Sequence, residues 1–78
     1  MGMSQGQLVI CRYGKEKGRL MCVIGTDEKF VYLADGKERP FANPKRKNPK
    51  HVEATDKNIS HLFPLTDKEL RKILLREV

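Results

Sequence analysis

Residues 6–19 constrain the chain more than any other stretch: an alternating run, a turn bracketed by glycines, and the start of a second run. Alternation puts Val9 and Cys11 on one face of a strand and leaves Leu8, Ile10 and Arg12 on the other, as a small barrel requires. Gly14 and Gly18 bracket the turn. They supply backbone conformations, and a closeness of backbone to backbone, that a Cβ resists. Arg12, Lys15, Lys17 and Arg19 crowd this turn against a single acid, Glu16. The predicted hairpin therefore carries a rigid, positively charged loop, a surface that suits phosphates.

The first strand is predicted at about 6–13 and the second at 19–24, paired antiparallel. Gly25, Thr26, Asp27 and Glu28 form a turn cluster leading into 30–34, which is rich in aromatic and β-branched residues. Asp35-Gly36 makes the next hairpin turn, since glycine tolerates positive φ and aspartate bonds its own backbone. A short strand at 39–41 follows, confined to the sheet edge by Pro40. Residues 43–49 read as a proline-bracketed loop, extended and exposed, with three consecutive cations and no acid. Residues 50–54 give a last strand, with Val52 and Ala54 facing in and closing the barrel. Residues 56–60 read as a polar connector.

The C-terminal helix, predicted over 66–77, has a local signature. Thr66 caps, Glu69 reaches back three residues later, and Leu65 and Leu70 stand at staple positions. Leu70, Ile73, Leu74 and Val78 share one face, with Lys68, Arg71, Lys72 and Arg76 mostly outward. Twelve residues do not hold a helix in isolation, so the apolar face is expected to pack across a barrel opening.

Seventy-eight residues make one domain with one small core, a barrel over about 5–55, a connector over 56–65 and the helix. A composition of 38% hydrophobic and 33% charged residues is that of a globular chain, and the net charge of +6 attracts polyanions. No run approaches a membrane span, and Met1 to Gln5 lacks a signal peptide's apolar centre, so a cytoplasmic chain without membrane contact is expected. Gly2 does not signal myristoylation, because Gly6 stands where serine or threonine belongs. Cys11 and Cys22 fall inside strands at a spacing that matches no zinc framework, and read as free buried thiols.

The succession of Gly6, inward aliphatics, a second glycine, basic residues and Gly18 resembles the KOW motif of ribosomal and transcription-elongation proteins. Met21 stands where that family often carries a further glycine. Residues 30–36 and 44–52 are similar to a narrower group, small bacterial KOW-domain RNA-binding proteins related to a large-subunit ribosomal protein of archaea and eukaryotes. The resemblance covers about 5–55 and implies an SH3-like barrel that binds RNA, ribosomal RNA foremost.

Lys45, Arg46 and Lys47 with Lys50 form the densest cation cluster, and the nearest acids in sequence are Glu38 and Glu53. Beside the basic glycine loop they read as phosphate contacts. Pro44 to Lys47 also has the pattern of a nuclear import signal, which so small a chain hardly needs. Phe30 and Tyr32 share the face opposite Val31 and Leu33. They either stack on bases or, as the cost of uncovered paired aromatics favours, lie beneath the helix or residues 62–63. Tyr13 opens the basic loop, where its ring either packs or stacks on an unpaired base or ribose.

Catalysis finds no support. His51 and His61 have no partner at ligand spacing, Ser60 beside His61 does not place a base against a nucleophile, and no Gly-Lys-Ser/Thr follows the glycine loop. The expected protein is a non-enzymatic RNA-binding module without cofactor or metal, a monomer when free. Ribosomal proteins are further expected partners. Arg12, Tyr13, Lys15, Lys17, Gly18 and Arg19 would grip one stretch of backbone, and Lys45, Arg46, Lys47 and Lys50 another. A protein-interaction module beside the transcription or translation machinery is the alternative.

Overall fold

Leu8 to Cys11 and Leu20 to Ile24 leave neither strand a polar side, and strands apolar on both faces must be covered on both. The computed structural model, which describes residues 3–77, meets this with one curled sheet and one helix. β1 (Gln7–Cys11) pairs antiparallel with β2 (Leu20–Thr26), and β2 with β3 (Val31–Ala34). β4 (Lys45–Lys47) adds to β3, while β5 (Val52–Asn58) adds to the other side of β1. The order is β4-β3-β2-β1-β5, and α1 (Asp67–Glu77) follows. The fold is mainly β, five antiparallel strands and a C-terminal helix in the manner of SH3-like domains.

Register divides the core. Val9 stands opposite Met21 and Val23 opposite Leu33, so these side chains share one face. Together with Cys11, Val31 and Val52 they form one buried cluster. Val52 on one edge strand belongs to the same buried cluster as Val31 and Leu33 of β3, as a sheet that curls like a barrel allows. Leu8, Cys22 and Ala34 line up across the opposite face. There they meet Ile59, Leu70, Ile73 and Leu74, with Phe41, Phe63 and Leu65 packed around. The helix thus covers what the barrel leaves open.

The capping box forms as its spacing predicts: the Thr66 amide donates to Glu69 Oε1 at 2.8 Å and the Glu69 amide to Thr66 Oγ1 at 3.2 Å. Val78 lies outside the described residues. Asp35 Oδ1 accepts from the amides of Lys37 and Arg39, and Gly36 at φ 79° lets the turn press on the helix, where a Cβ would stand 2.2 Å from the Asp67 carbonyl oxygen. Both cysteines are buried and free, and burial pushes the Cys22 thiol up to about 12 and that of Cys11 upward as well. No helix among the described residues is long and apolar enough to cross a membrane.

Four local expectations are corrected. No strand forms at 39–41; the Asn43 amide bonds the Pro40 carbonyl in a turn, and Phe41 packs beneath the helix. The edge strand is instead β4, within the stretch read as an exposed loop. Gly25 and Thr26 extend β2, and the turn moves to residues 27–30, with Asp27 Oδ1 accepting from the amides of Lys29 and Phe30. Ala54 is exposed, not inward, and β5 runs on to Asn58 across a bulge, since Gln7 pairs with Asn58 but Val9 with Ala54.

Candidate nucleic-acid interface

The loop between β1 and β2 is held by its own backbone. The Gly18 amide donates to the Cys11 carbonyl at 2.7 Å, that of Lys17 to Gly14 at 3.2 Å and that of Arg19 to Glu16 at 2.9 Å. Gly14 and Gly18 sit at φ 84° and 86°, the left-handed region that a side chain disfavours. At Gly18 conformation alone is at stake, because nothing lies within 4 Å of where a Cβ would be. At Gly14 that position is 2.8 Å from Lys47 Nζ.

That contact exposes the main departure from expectation. Lys47 pairs with Val31 and Lys45 with Leu33, so both lysines lie on the core-facing side of β4 and only Arg46 lies on the outer side, opposite Tyr32. Lys47 is 7% exposed; its ammonium donates to the Tyr13 carbonyl oxygen and stands 3.4 Å from Glu16 Oε1. Glu16, 6% exposed, therefore turns inward and does not neutralise the cations beside it in sequence. Its Oε1 has no hydrogen-bond donor among the described residues, since 3.4 Å is long for one, and the attraction is that of an ion pair. Burial pushes the Glu16 carboxyl up, but the Lys47 ammonium and the positive charge of Lys45 outweigh it and hold the group below its ordinary value. Lys47 braces the loop from within, buried where the sequence reading expects an exposed cation.

The remaining cations divide in two. Arg12 Nε donates to Glu53 at 2.7 Å, and Arg19 pairs with Glu38 and stands 3.8 Å from Asp35. Lys15 and Lys17 are exposed and have no ion-pair partner among the described residues. Lys50 is exposed on the short 3-10 turn Pro49–His51, where Asn48 Oδ1 caps its amide at 2.9 Å. This turn seats against the hairpin: the His51 carbonyl accepts from the Arg12 amide at 2.8 Å, and the His51 ring lies 4.8 Å from the Tyr13 ring, tilted. Two basic segments distant in sequence are thereby one surface, with Tyr13, 60% exposed, between them.

Phe30 and Tyr32 are half-buried, but not beneath the helix. The Arg46 Cζ stands 4.6 Å over the Phe30 ring, and the Tyr32 hydroxyl donates to Asp27 Oδ2. The aromatic pair packed with the helix is Phe41 and Phe63, edge to face at 6.1 Å. Sequence reasoning missed the Glu16–Lys47 strut. Lys45, Arg46 and Lys47 alternate along a strand with no apolar residue, so only its pairing with Val31 and Leu33 shows which side turns inward.

No protein-family model matches the chain. It is 33% identical to the large ribosomal subunit protein eL14 of Pyrobaculum calidifontis over 70 residues, 88% of this chain and 68% of the relative. The eL14 proteins of Pyrobaculum islandicum and Pyrobaculum neutrophilum are 32% and 31% identical over 68 residues each, 86% of this chain and 66% of either relative. The chain spans about two thirds of the length of these relatives. Identity at this level over most of the chain and two thirds of the relative shows the family: the chain belongs to the eL14 family of large ribosomal subunit proteins.

Proposed function

We propose that the chain is a non-enzymatic RNA-binding protein of KOW type that associates with ribosomal particles, its partners being ribosomal RNA and neighbouring ribosomal proteins. The observation that carries this reading is the pair Lys15 and Lys17, exposed and without acid partners among the described residues, on a loop fixed from behind by Lys47. A positive loop with its backbone already ordered meets a phosphate with little further entropy loss. Arg12, Tyr13, Gly18 and Arg19 complete that loop, Lys50 and the half-buried Lys45 extend the same surface, on which backbone contacts position the protein, and Arg46 adds its charge on the outer side of β4.

A groove of about 500 Å³ beside α1, with Ile10, Leu20, Leu74 and the 61% exposed Leu75 in its wall, favours protein interaction as the second reading. Co-sedimentation with ribosomal particles separates the two. Association at low salt that is lost at high salt, and lost on Lys15→Glu with Lys17→Glu, supports the phosphate surface. Association indifferent to salt and to those variants supports the apolar groove.

A further inference from the structure

Away from the hairpin, a cleft of about 290 Å³ opens between the β2–β3 turn and β4, lined by Asp27, Glu28, Lys29, Phe30 and Arg46. Phe30 backs the Arg46 guanidinium 4.6 Å from its ring centroid, and an aromatic ring with a guanidinium over it is a stacking platform for any base. The two acids differ. Asp27 is fully engaged: Oδ2 accepts from the Tyr32 hydroxyl at 2.5 Å, and Oδ1 from the amides of Lys29 and Phe30 at 2.8 Å each. Glu28 is exposed, with no hydrogen-bond or ion-pair partner among the described residues, and the Lys29 ammonium beside it is likewise free.

A carboxylate takes two parallel N–H donors when two adjacent ones are offered. Among RNA bases only guanine does so, through N1–H and the N2 amino group; adenine and cytosine present one amino group and uracil one imino group. We propose that this cleft takes one unpaired guanosine nucleotide: the base stacked on the Arg46–Phe30 pair, N1–H and the N2 amino group donating to the Glu28 carboxylate, and the phosphate beside the Lys29 ammonium. The proposal rests on the RNA reading for the source of the nucleotide, and adds base identity to a surface that otherwise reads charge. The site is distinct from the hairpin, so the two can be tested apart.

Two measurements decide it. In an NMR titration, GMP shifts the Phe30 ring, Glu28 and Arg46 resonances under conditions in which AMP leaves them in place. In fluorescence anisotropy, a labelled uridine-rich hexamer with one central guanosine binds about fivefold or more tightly than the same hexamer with adenosine, or with inosine, which lacks the N2 amino group. Glu28→Gln removes that preference and keeps the base-independent binding, whereas Lys15→Glu with Lys17→Glu weakens all hexamers alike and leaves the GMP shifts intact. Equal binding of the three hexamers with Phe30 unmoved by GMP overturns the site, whether or not RNA binds. Hexamers that do not bind while GMP still moves Phe30 and Glu28 retain the site and reject the RNA reading.

Discussion

Lys47 stands between Arg46 and Asn48 in a run that reads as uniformly cationic, yet its ammonium is buried against Glu16 and the Tyr13 carbonyl. Removing one member of a buried pair strands the other, so Lys47→Met is expected to destabilise by about 3 kcal/mol in urea melts, and adding Glu16→Leu should recover much of it. The pH dependence follows from the same geometry. In the native protein the Glu16 carboxyl is held below its ordinary value of 4.5, so its contribution to stability is complete above that value and is lost as pH falls through the lowered one. In Lys47→Met the chief lowering influence is gone while burial still raises the carboxyl, so the loss of stability with falling pH should shrink or reverse. Melts in which the variant keeps the native pH slope would show that Lys47 does not govern Glu16. This residue was illegible because the side of β4 that faces inward is set by its pairing with β3, and the strand contains no apolar residue to mark it.

Among the elements, those whose determinants are local were readable. The Thr66–Glu69 box and the stripe of Leu70, Ile73 and Leu74 lie within one helix, and the glycine hairpin needs only the spacing of Gly14 and Gly18. The segment at 39–41 misled because Phe41 has strand propensity but is drawn under the helix, its amide donating to Asp67 Oδ1 at 2.8 Å. The two kinds of glycine turn make a prediction. Gly18 needs only its φ of 86°, with open space around it, so Gly18→Ala should destabilise by about 1 to 2 kcal/mol of backbone strain. Gly36→Ala meets the same strain and also drives a Cβ into the Asp67 carbonyl, so it should lower the melting temperature further and loosen the first turn of α1. Thr66→Ala, which removes one side of the cap, should lie near 1 kcal/mol. A Gly36→Ala variant as stable as Gly18→Ala would mean that the turn does not bear on the helix.

At the scale of the molecule, residues 12–19 and 47–51 form one face because Lys47 reaches Tyr13 and His51 packs on its ring. Charge counted along the sequence overstates what this face offers a phosphate. Arg12 and Arg19 are engaged by Glu53, Glu38 and Asp35, Lys47 is buried, and Lys15, Lys17 and Lys50 stand clear. Lys15→Glu with Lys17→Glu should therefore weaken RNA binding by an order of magnitude or more and flatten the salt dependence by about two contacts, roughly 0.7 to 0.9 in log–log slope for each. The melting temperature should hardly move, because exposed charges contribute little to folding. Lys50→Glu should act in the same direction, and Arg12→Gln less, since that guanidinium is already paired. Lys47→Met separates holding from touching: if it orders the loop without meeting a phosphate, affinity falls while the slope stays native. A slope that drops by one contact in Lys47→Met would show that the ammonium leaves Glu16 to meet the RNA, and binding unchanged across all four variants would move the site away from the hairpin.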